Sequence, residues 1–173
     1  MASFTELDWR RLDVFAVVFG RGIASVEKAS WADALAWLSS NGYATSLLDF
    51  SSGISPVIQQ LGRELNWVEN FGYELLGDSR NLAALHDGFH FEVPASGGLA
   101  LLLCDFRKAM AADLNWSKGF LSILSEHSLR QLACGNRFFG LLEVQDSESP
   151  VVGQVFESLS VPYPFPLRGT AAA

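Results

Sequence analysis

Apolar and polar residues alternate along this chain in short blocks that predict strands and helices in turn. Residues 12–19 form an apolar run and predict a first strand, and the glycine-containing turn at residues 20–22 leads into a second short extended piece. Ser30 is a suitable N-cap for the helix predicted over residues 31–40, and Asn-Gly at positions 41–42 supplies its stop.

The rest of the chain continues this alternation. It predicts strands at residues 43–50, 99–106 and 137–144 and helices at residues 55–65 and 116–132. The apolar run in residues 99–106 is typical of a strand that is buried on both faces, as in the middle of a parallel sheet. The sequence therefore predicts an α/β fold with a small, mainly parallel sheet flanked by helices.

The two ends of the predicted domain are less regular. One α/β domain is expected over residues 1–166, followed by a flexible tail at residues 167–173. Residues 151–159 predict one or two further helical turns, and the prolines in residues 161–166 predict an extended segment.

A short amphipathic helix around residues 81–89 is the most informative element for function. One face of a 3.6-residue period carries its large apolar side chains together with the leading asparagine: Asn81, Leu82, Leu85 and Phe89. The opposite face carries a carboxylate, an imidazole and a small side chain: Ala83, Asp87 and His90. We expect this second face to be available to a partner.

Composition and charge restrict the classes of partner. The 173 residues are 49% hydrophobic and 18% charged, which is enough to build a sizeable core. The formal net charge of -7 argues against nucleic acid and anionic membrane surfaces as partners and favours a basic one. No apolar run approaches the roughly twenty residues that span a bilayer, and the N-terminus lacks the pattern of a signal peptide, so we expect a cytoplasmic protein.

The chain contains two cysteines, far fewer than a disulfide-dependent scaffold. Cys104 lies in an apolar strand and is expected to be a buried core residue, and Cys134 follows a helix. Both thiols are predicted to be reduced. Asp105 at the carboxyl end of the same strand is interpreted as a carboxylate that caps the following turn.

The run NLAALHD, from Asn81 to Asp87, follows an aromatic-glycine element formed by Phe71, Gly72 and Tyr73. These residues resemble the barstar family of ribonuclease inhibitors and immunity proteins, whose motif is an aromatic-glycine loop followed by NLDALWD or a close variant. The predicted order of strand, helix, loop, helix, strand, helix and strand over residues 43–144 also resembles the layout of that family. The first forty residues lie outside the resemblance and form an N-terminal extension.

The resemblance implies inhibition without chemistry, in which the protein fills the active site of a cognate toxin, typically a nuclease. It implies no catalytic residue, no cofactor and no metal, and a monomer that binds its toxin 1:1. Asp87 matches the acidic last position of the motif and would be the central phosphate mimic. The implied partner-binding residues are Phe71, Tyr73, Glu74, Asp78, Asn81, Ala83, Ala84, His86, Asp87 and His90.

Two positions depart from the motif. Ala83 replaces its first aspartate and His86 replaces its tryptophan, so one carboxylate and one aromatic contact are missing. The loop before the helix is also longer, and it offers Glu74 and Asp78 as replacement carboxylates. The identity and reaction of the toxin are therefore left open.

Other functions have weaker signals. His86 and His90 stand four residues apart, as in a helical zinc motif, but Gly88 lies between them and no third ligand is evident apart from Glu92. A small metal-dependent or acid–base hydrolase using Asp87, His86 and His90, with Asp105 as a further candidate, is one alternative. A regulatory module that binds a basic host protein is another.

Two further motifs are interpreted as structural. The GRGIAS segment at residues 20–25 has only half of a dinucleotide-binding pattern, and an ordinary turn is expected there. Glu126, His127 and Arg130 are close enough on one helix to form a polar cluster, and we expect a solvated helix face.

Overall fold

The computed structural model describes residues 8–76, 81–146, 152–153, 155–156 and 159–165. Its helices are α1 (Leu12–Gly20), α2 (Trp31–Ser40), α3 (Ile54–Glu64), α4 (Trp67–Phe71), α5 (Leu82–Gly88), α6 (Phe106–Ala112) and α7 (Leu114–Ala133). Its strands are β1 (Ile23–Glu27), β2 (Tyr43–Asp49), β3 (Gly98–Cys104), β4 (Arg137–Val144), β5 (Val155–Phe156) and β6 (Leu159–Ser160).

A four-stranded, all-parallel sheet in the order β1-β4-β3-β2 forms the centre of the molecule. The predicted α/β fold with a small parallel sheet is confirmed. β3 lies between β4 and β2, and its residues 98–103 are buried, so the prediction that this strand is central is also confirmed.

The sheet separates two cores. Leu99, Leu101 and Leu103 of β3 belong to one core, and the alternate residues Ala100 and Leu102 belong to the other. Helices α1 and α2 cover the second core, whereas α3, α5, α6 and α7 cover the first. The helix that carries the barstar-like run and the apolar N-terminal helix therefore lie on opposite faces of the sheet.

Residues 12–19 belong to helix α1, so the strand predicted there is wrong. The residues that α1 buries recur at helical spacing: Leu12, Asp13, Ala16 and Gly20. The helix ends where Arg21 and Gly22 adopt positive φ angles of 49° and 93°. A short, almost continuous apolar run shows no clear period, so it does not distinguish a helix from a buried strand.

The turn and the extended piece after α1 are confirmed by β1. The turn follows a helix, however, and not the strand that a dinucleotide-binding loop requires. At Gly22 an added Cβ would lie 2.2 Å from the Ser128 Oγ, so a glycine is needed there for close packing as well as for its φ angle.

The C-terminal part also differs from the prediction. β5 and β6 pair antiparallel where helical turns were predicted in residues 151–159. The extended segment of residues 161–165 packs along β1, because the Ser25 Oγ donates a hydrogen bond to the Pro162 carbonyl and the Phe165 N–H donates to the Ser25 carbonyl. The predicted tail at residues 167–173 lies outside the described residues.

Several helix starts are displaced from the predicted positions, and α4 and α6 are additional. α3 begins at Ile54 after Gly53, which places Pro56 at its third position. Ser30 directly precedes α2 as predicted, but its side chain makes no capping hydrogen bond.

No helix in the described part of the chain is long and apolar enough to cross a bilayer.

Both cysteines are free thiols. Cys104 is half-buried at the end of β3 and not fully buried as predicted. Its pKa is raised to about 12, mainly by desolvation and further by the neighbouring carboxylates Glu143, Asp49 and Asp105. The Asp105 side chain makes no capping hydrogen bond to α6, so its predicted capping role is wrong.

Candidate functional site

Helix α5 presents its two faces as the sequence predicts. Leu85 and Phe89, the residue that follows the helix, are each 1% exposed and belong to the core between the sheet and α7. Ala83 and Asp87 are exposed on the other side. The prediction that Asp87 points away from the core is confirmed.

Two glycines allow α5 to approach its neighbours closely. An added Cβ at Gly119 of α7 would lie 2.4 Å from the Leu82 Cδ1, and one at Gly88 would lie 2.4 Å from the Trp67 Cζ3. Side chains at these positions would push α5 away from α7 on one side and from α4 on the other. Gly88 therefore has a packing function in α5.

The contacts between α5 and α7 place a polar cluster at the surface. His86 of α5 lies 2.5 Å from the Glu126 Oε2 through its Nε2 and 3.3 Å from the Asp87 Oδ1 through its Nδ1. Arg130 of α7 lies 3.4 Å from the same Glu126 oxygen. We call these four residues the His86 cluster. It places the Asp87 and Glu126 carboxylates on opposite sides of one imidazole ring.

The hydrogen bonds of His86 favour its protonated form. Arg130 Nη2 also lies 2.9 Å from the His86 Nε2, but this nitrogen cannot accept from Arg130 while it donates to Glu126. The hydrogen bond to Glu126, followed by that to Asp87, raises the pKa of His86 above its ordinary value. When the ring is protonated, it donates to both carboxylates and links them.

The two linked carboxylates remain accessible to a partner. The Asp87 side chain is 80% exposed and that of Glu126 is 58% exposed. Such exposed groups contribute little to folding stability by pairing with each other in water. A partner that removed the water and supplied arginine or lysine would find two acceptors held in place by packed helices.

Aromatic residues form a second part of this surface. α4 is followed by Gly72, which has a φ of 76° and donates its N–H to the Val68 carbonyl, as is typical of a helix end with a glycine. Trp67 is fully buried, and its ring lies 4.4 Å from that of Phe71 and 6.2 Å from that of Tyr73. Phe71 and Tyr73 remain 43% and 48% exposed. We call these three residues the aromatic cluster.

His127 differs from its neighbours on α7. It is 4% exposed and packs edge-on against Phe138 and Phe89 at ring-centroid distances of 4.7 Å and 5.3 Å. Desolvation, with smaller contributions from His90 and Arg130, lowers its pKa to about 4. The predicted solvated face is therefore wrong for His127, which is a neutral core residue, and incomplete for Glu126 and Arg130, which join His86.

The structure unites some of the predicted partner-binding residues and separates others. The exposed ones are Phe71, Tyr73, Glu74, Ala83, Asp87 and His90, and the half-buried ones are Asn81, Ala84 and His86. Asp78 lies outside the described residues. Ala84 packs against the core, which argues against its predicted contact with a partner.

Glu74 lines a cavity of about 510 Å³ with Arg63 and Glu69, beside Trp67.

The geometry separates the two histidines of the hydrolase alternative. α5 ends at Gly88, so His90 lies outside the helix and does not share a helical face with His86. Within residues 8–76, 81–146 and the other described positions, no group of three or more His, Cys, Asp or Glu side chains could hold a metal ion. Asp105 lies at the carboxyl end of the sheet, where its charge helps to raise the pKa of Cys104.

Comparison with known proteins gives no relative. No protein-family model, curated protein or solved structure matches this chain. The case for its function therefore depends on its own residues.

Sequence reasoning missed Glu126 and Arg130 as members of the site and missed Trp67 altogether. Glu126 lies 40 residues from His86, and no local pattern connects the two. The sequence did contain a signal for the short helix that carries Trp67. Asn66 and Gly72 flank α4, and asparagine and glycine often mark the two ends of a helix. Gly88 was another signal, because a glycine within a helix often marks a close approach.

Proposed function

We propose that this protein is a barstar-like immunity protein that binds a cognate toxin and masks its active site. The observation that carries the proposal is the exposed Asp87 carboxylate on the outer face of α5, joined through His86 to a second exposed carboxylate on α7. The protein acts by binding alone and is not an enzyme.

The physical basis is charge complementarity with a phosphate-binding site. A nuclease holds the phosphates of its substrate with arginine and lysine, and a carboxylate on a rigid helix can take the place of a phosphate oxygen. Residues 64–92 carry six acids, namely Glu64, Glu69, Glu74, Asp78, Asp87 and Glu92, against the single base Arg80. This local negative charge also speeds the encounter with a basic partner.

Glu126 supports the proposal despite the departures from the motif. The motif's first aspartate is Ala83 in this chain, and its tryptophan is His86. The small Ala83 leaves room on the outer face, and His86 brings in a carboxylate from another helix. The toxin that fits this arrangement has at least two basic groups near its active site, and a ribonuclease is the leading candidate. The aromatic cluster supplies an adjoining apolar contact.

The proposed setting is the cytoplasm of the cell that makes the toxin, with one immunity protein binding one toxin molecule. A toxin encoded by the neighbouring reading frame is the natural partner to test. A regulatory module for a basic host protein uses the same face, and binding to such a protein with no protection against the toxin would identify that alternative.

The test compares Asp87→Ala with Asp33→Ala, which removes an exposed carboxylate from α2 on the opposite face of the sheet. Loss of one member of a desolvated charge pair costs about 2 to 5 kcal/mol, so Asp87→Ala should weaken toxin binding roughly 30-fold or more. Asp33→Ala should bind like the parent. Calorimetric titration at two salt concentrations and survival of cells that express both proteins give the readout. If Asp87→Ala protects cells fully and salt does not affect binding, the proposal is wrong.

A further inference from the structure

A second cavity lies at the end of the sheet where its strands begin. It measures about 470 Å³ and is located between α1, the C-terminal end of α7 and the first residues of β2 and β4. Its apolar lining consists of Val14, Val17, Val18, Leu132, Phe138 and Phe139. This volume is within the range of small-molecule sites. None of the described partner-binding residues lines it.

The polar side of this cavity is a partly buried network of hydrogen bonds. The Tyr43 hydroxyl donates a hydrogen bond of 2.7 Å to the Asp13 Oδ2, and Arg11 donates to both carboxylate oxygens at 2.6 Å and 3.0 Å. Tyr43 and Asp13 are 7% and 8% exposed. Burial alone would raise the pKa of Asp13, but the hydrogen bonds from Arg11 and Tyr43 lower it below its ordinary value. Asp13 is therefore an anion whose charge Arg11 already balances.

Arg137 is a group in this cavity whose terminal nitrogens are unused donors. Its guanidinium lies 4.9 Å from the centre of the Tyr43 ring, and its Nε donates to the Gly97 carbonyl at 3.2 Å. Its two terminal nitrogens have no acceptor within the described part of the chain. A half-buried guanidinium of this kind presents a planar pair of donors that matches a carboxylate. Asp8, which also lines the cavity, is engaged in a contact of its own.

We propose that this cavity binds a small monocarboxylate with an apolar body. The apolar body lies against α1 and the end of α7, and the carboxylate accepts hydrogen bonds from the terminal nitrogens of Arg137. The stacking of Arg137 on Tyr43 and the bond from its Nε to Gly97 orient the guanidinium before the ligand arrives, which reduces the entropy lost on binding. This site is independent of the proposed toxin-binding face.

The probes are three eight-carbon molecules with different head groups: octanoate and octylamine, each kept below its micelle concentration, and octanol, kept below its solubility limit. Calorimetry and two-dimensional NMR of the full chain measure affinity and location. We expect octanoate to bind 1:1 and to shift the resonances of Val18 and Leu132. Octanol should bind about tenfold more weakly, because it lacks the carboxylate that accepts the charged hydrogen bonds. Octylamine should not bind, because its ammonium group is repelled by the Arg137 guanidinium.

Two variants locate the site. Arg137→Gln should reduce octanoate binding to the level of octanol and leave octanol binding unchanged. Val18→Glu places a carboxylate at an exposed position of the lining and should abolish octanoate binding without unfolding the protein, because Val18 is already 40% exposed. Leu114→Glu is the matched control, since Leu114 is 44% exposed at the opposite end of α7.

The proposal is overturned if the three head groups bind equally, if octanoate binding survives both Arg137→Gln and Val18→Glu, or if octanoate does not bind at millimolar concentration. It is also overturned if sedimentation shows a dimer that Val18→Glu dissociates, because the apolar lining would then be covered by a second copy of the chain. Toxin binding by Arg137→Gln should equal that of the parent.

Discussion

Helices α1 and α5 are both short, and they place their carboxylates in opposite environments. α5 buries Leu85 and exposes the Asp87 carboxylate, as an amphipathic helix does. α1 buries its carboxylate, Asp13, and exposes Val18 and Phe19 at 40% and 56%. The same type of side chain therefore faces solvent in one helix and the interior of the protein in the other.

This contrast shows what a polarity pattern can and cannot reveal. The pattern assigned the faces of α5 correctly because burial follows polarity in that helix. In α1 the single carboxylate accepts hydrogen bonds from Arg11, two residues away, and from Tyr43, 30 residues away, and the exposed residues are apolar. Its burial depends in part on Tyr43, a partner that the local sequence does not show.

The largest expected effect is on folding stability. It is measured by removing each of the two carboxylates, Asp13 and Asp87, in turn. Asp13→Ala leaves Arg11 and the Tyr43 hydroxyl without their partner, and it should lower the free energy of unfolding by about 3 kcal/mol. Asp87→Ala removes an exposed group and should change it by less than about 0.5 kcal/mol. Urea denaturation of both variants provides the measurement. Similar losses in the two variants would show that the comparison between α1 and α5 is wrong.

The next effect is a dependence of folding stability on pH, which we expect from the buried His127 of α7. An unfolded histidine takes up a proton near its ordinary pKa of 6.5, whereas native His127 stays neutral until about pH 4. The unfolded state therefore binds more protons between these values, and stability should fall by about 2 to 3 kcal/mol as the pH drops through this window. More than about one pH unit above 6.5, this residue should contribute almost no slope.

His127→Phe is the comparison variant for this pH effect. It keeps an aromatic ring between Phe89 and Phe138 but has no group that titrates. Denaturation midpoints measured from pH 4 to pH 7 should show a smaller slope in this variant. An unchanged slope would mean that another group causes the loss of stability in acid.

A smaller effect is expected at the contact between α5 and α4. Gly88→Ala brings a methyl group within 2.4 Å of the Trp67 ring, so the ring or the helix must shift, and stability should fall by about 1 to 3 kcal/mol. Gly62→Ala in α3 is the control, because its new Cβ would lie 3.6 Å from the nearest atom. That control should be neutral or slightly stabilising. Thermal unfolding of both variants measures the difference, and equal midpoints would contradict the close packing.

The smallest effect lies within the His86 cluster. Glu126→Gln removes the carboxylate that contributes most to the raised pKa of His86, so the pKa should move down toward its ordinary value. Because the group is exposed, the change in stability should be slight. NMR titration of the imidazole resonances follows the shift, with Asp33→Asn as a distant control. A pKa that does not move would remove Glu126 from the cluster.

Much of the fold follows from the sequence because its elements have strong local signals. β2, β3, α7 and β4 were predicted in place, and the apolar run of β3 identified it as a central strand. α1 was misassigned because its apolar run has no clear period. α4 and α6, with five and seven residues, are too short to show a helical repeat.

The candidate site was predicted only as far as one helix could reveal it. The face of Asp87 could be derived from helical spacing, but the join between His86 and Glu126 depends on the close approach at Gly119. Such an approach is a property of packing between distant segments. The burial of His127 beside the exposed Glu126 arises in the same way, since Phe138 comes from β4.

The position of β1 at the edge of the sheet has a consequence for the order of folding. β1 pairs with β4, so that Ile23 lies opposite Gly140 and Glu27 lies opposite Val144. The two residues of each pair are 117 positions apart in the sequence. β2 and β3, and then β3 and β4, join over much shorter separations. Because long loops close last, we expect the segment from β2 to β4, with α5 and α7, to form before β1 docks. During synthesis on the ribosome, β1 would then be the first strand to be made and the last to join the sheet.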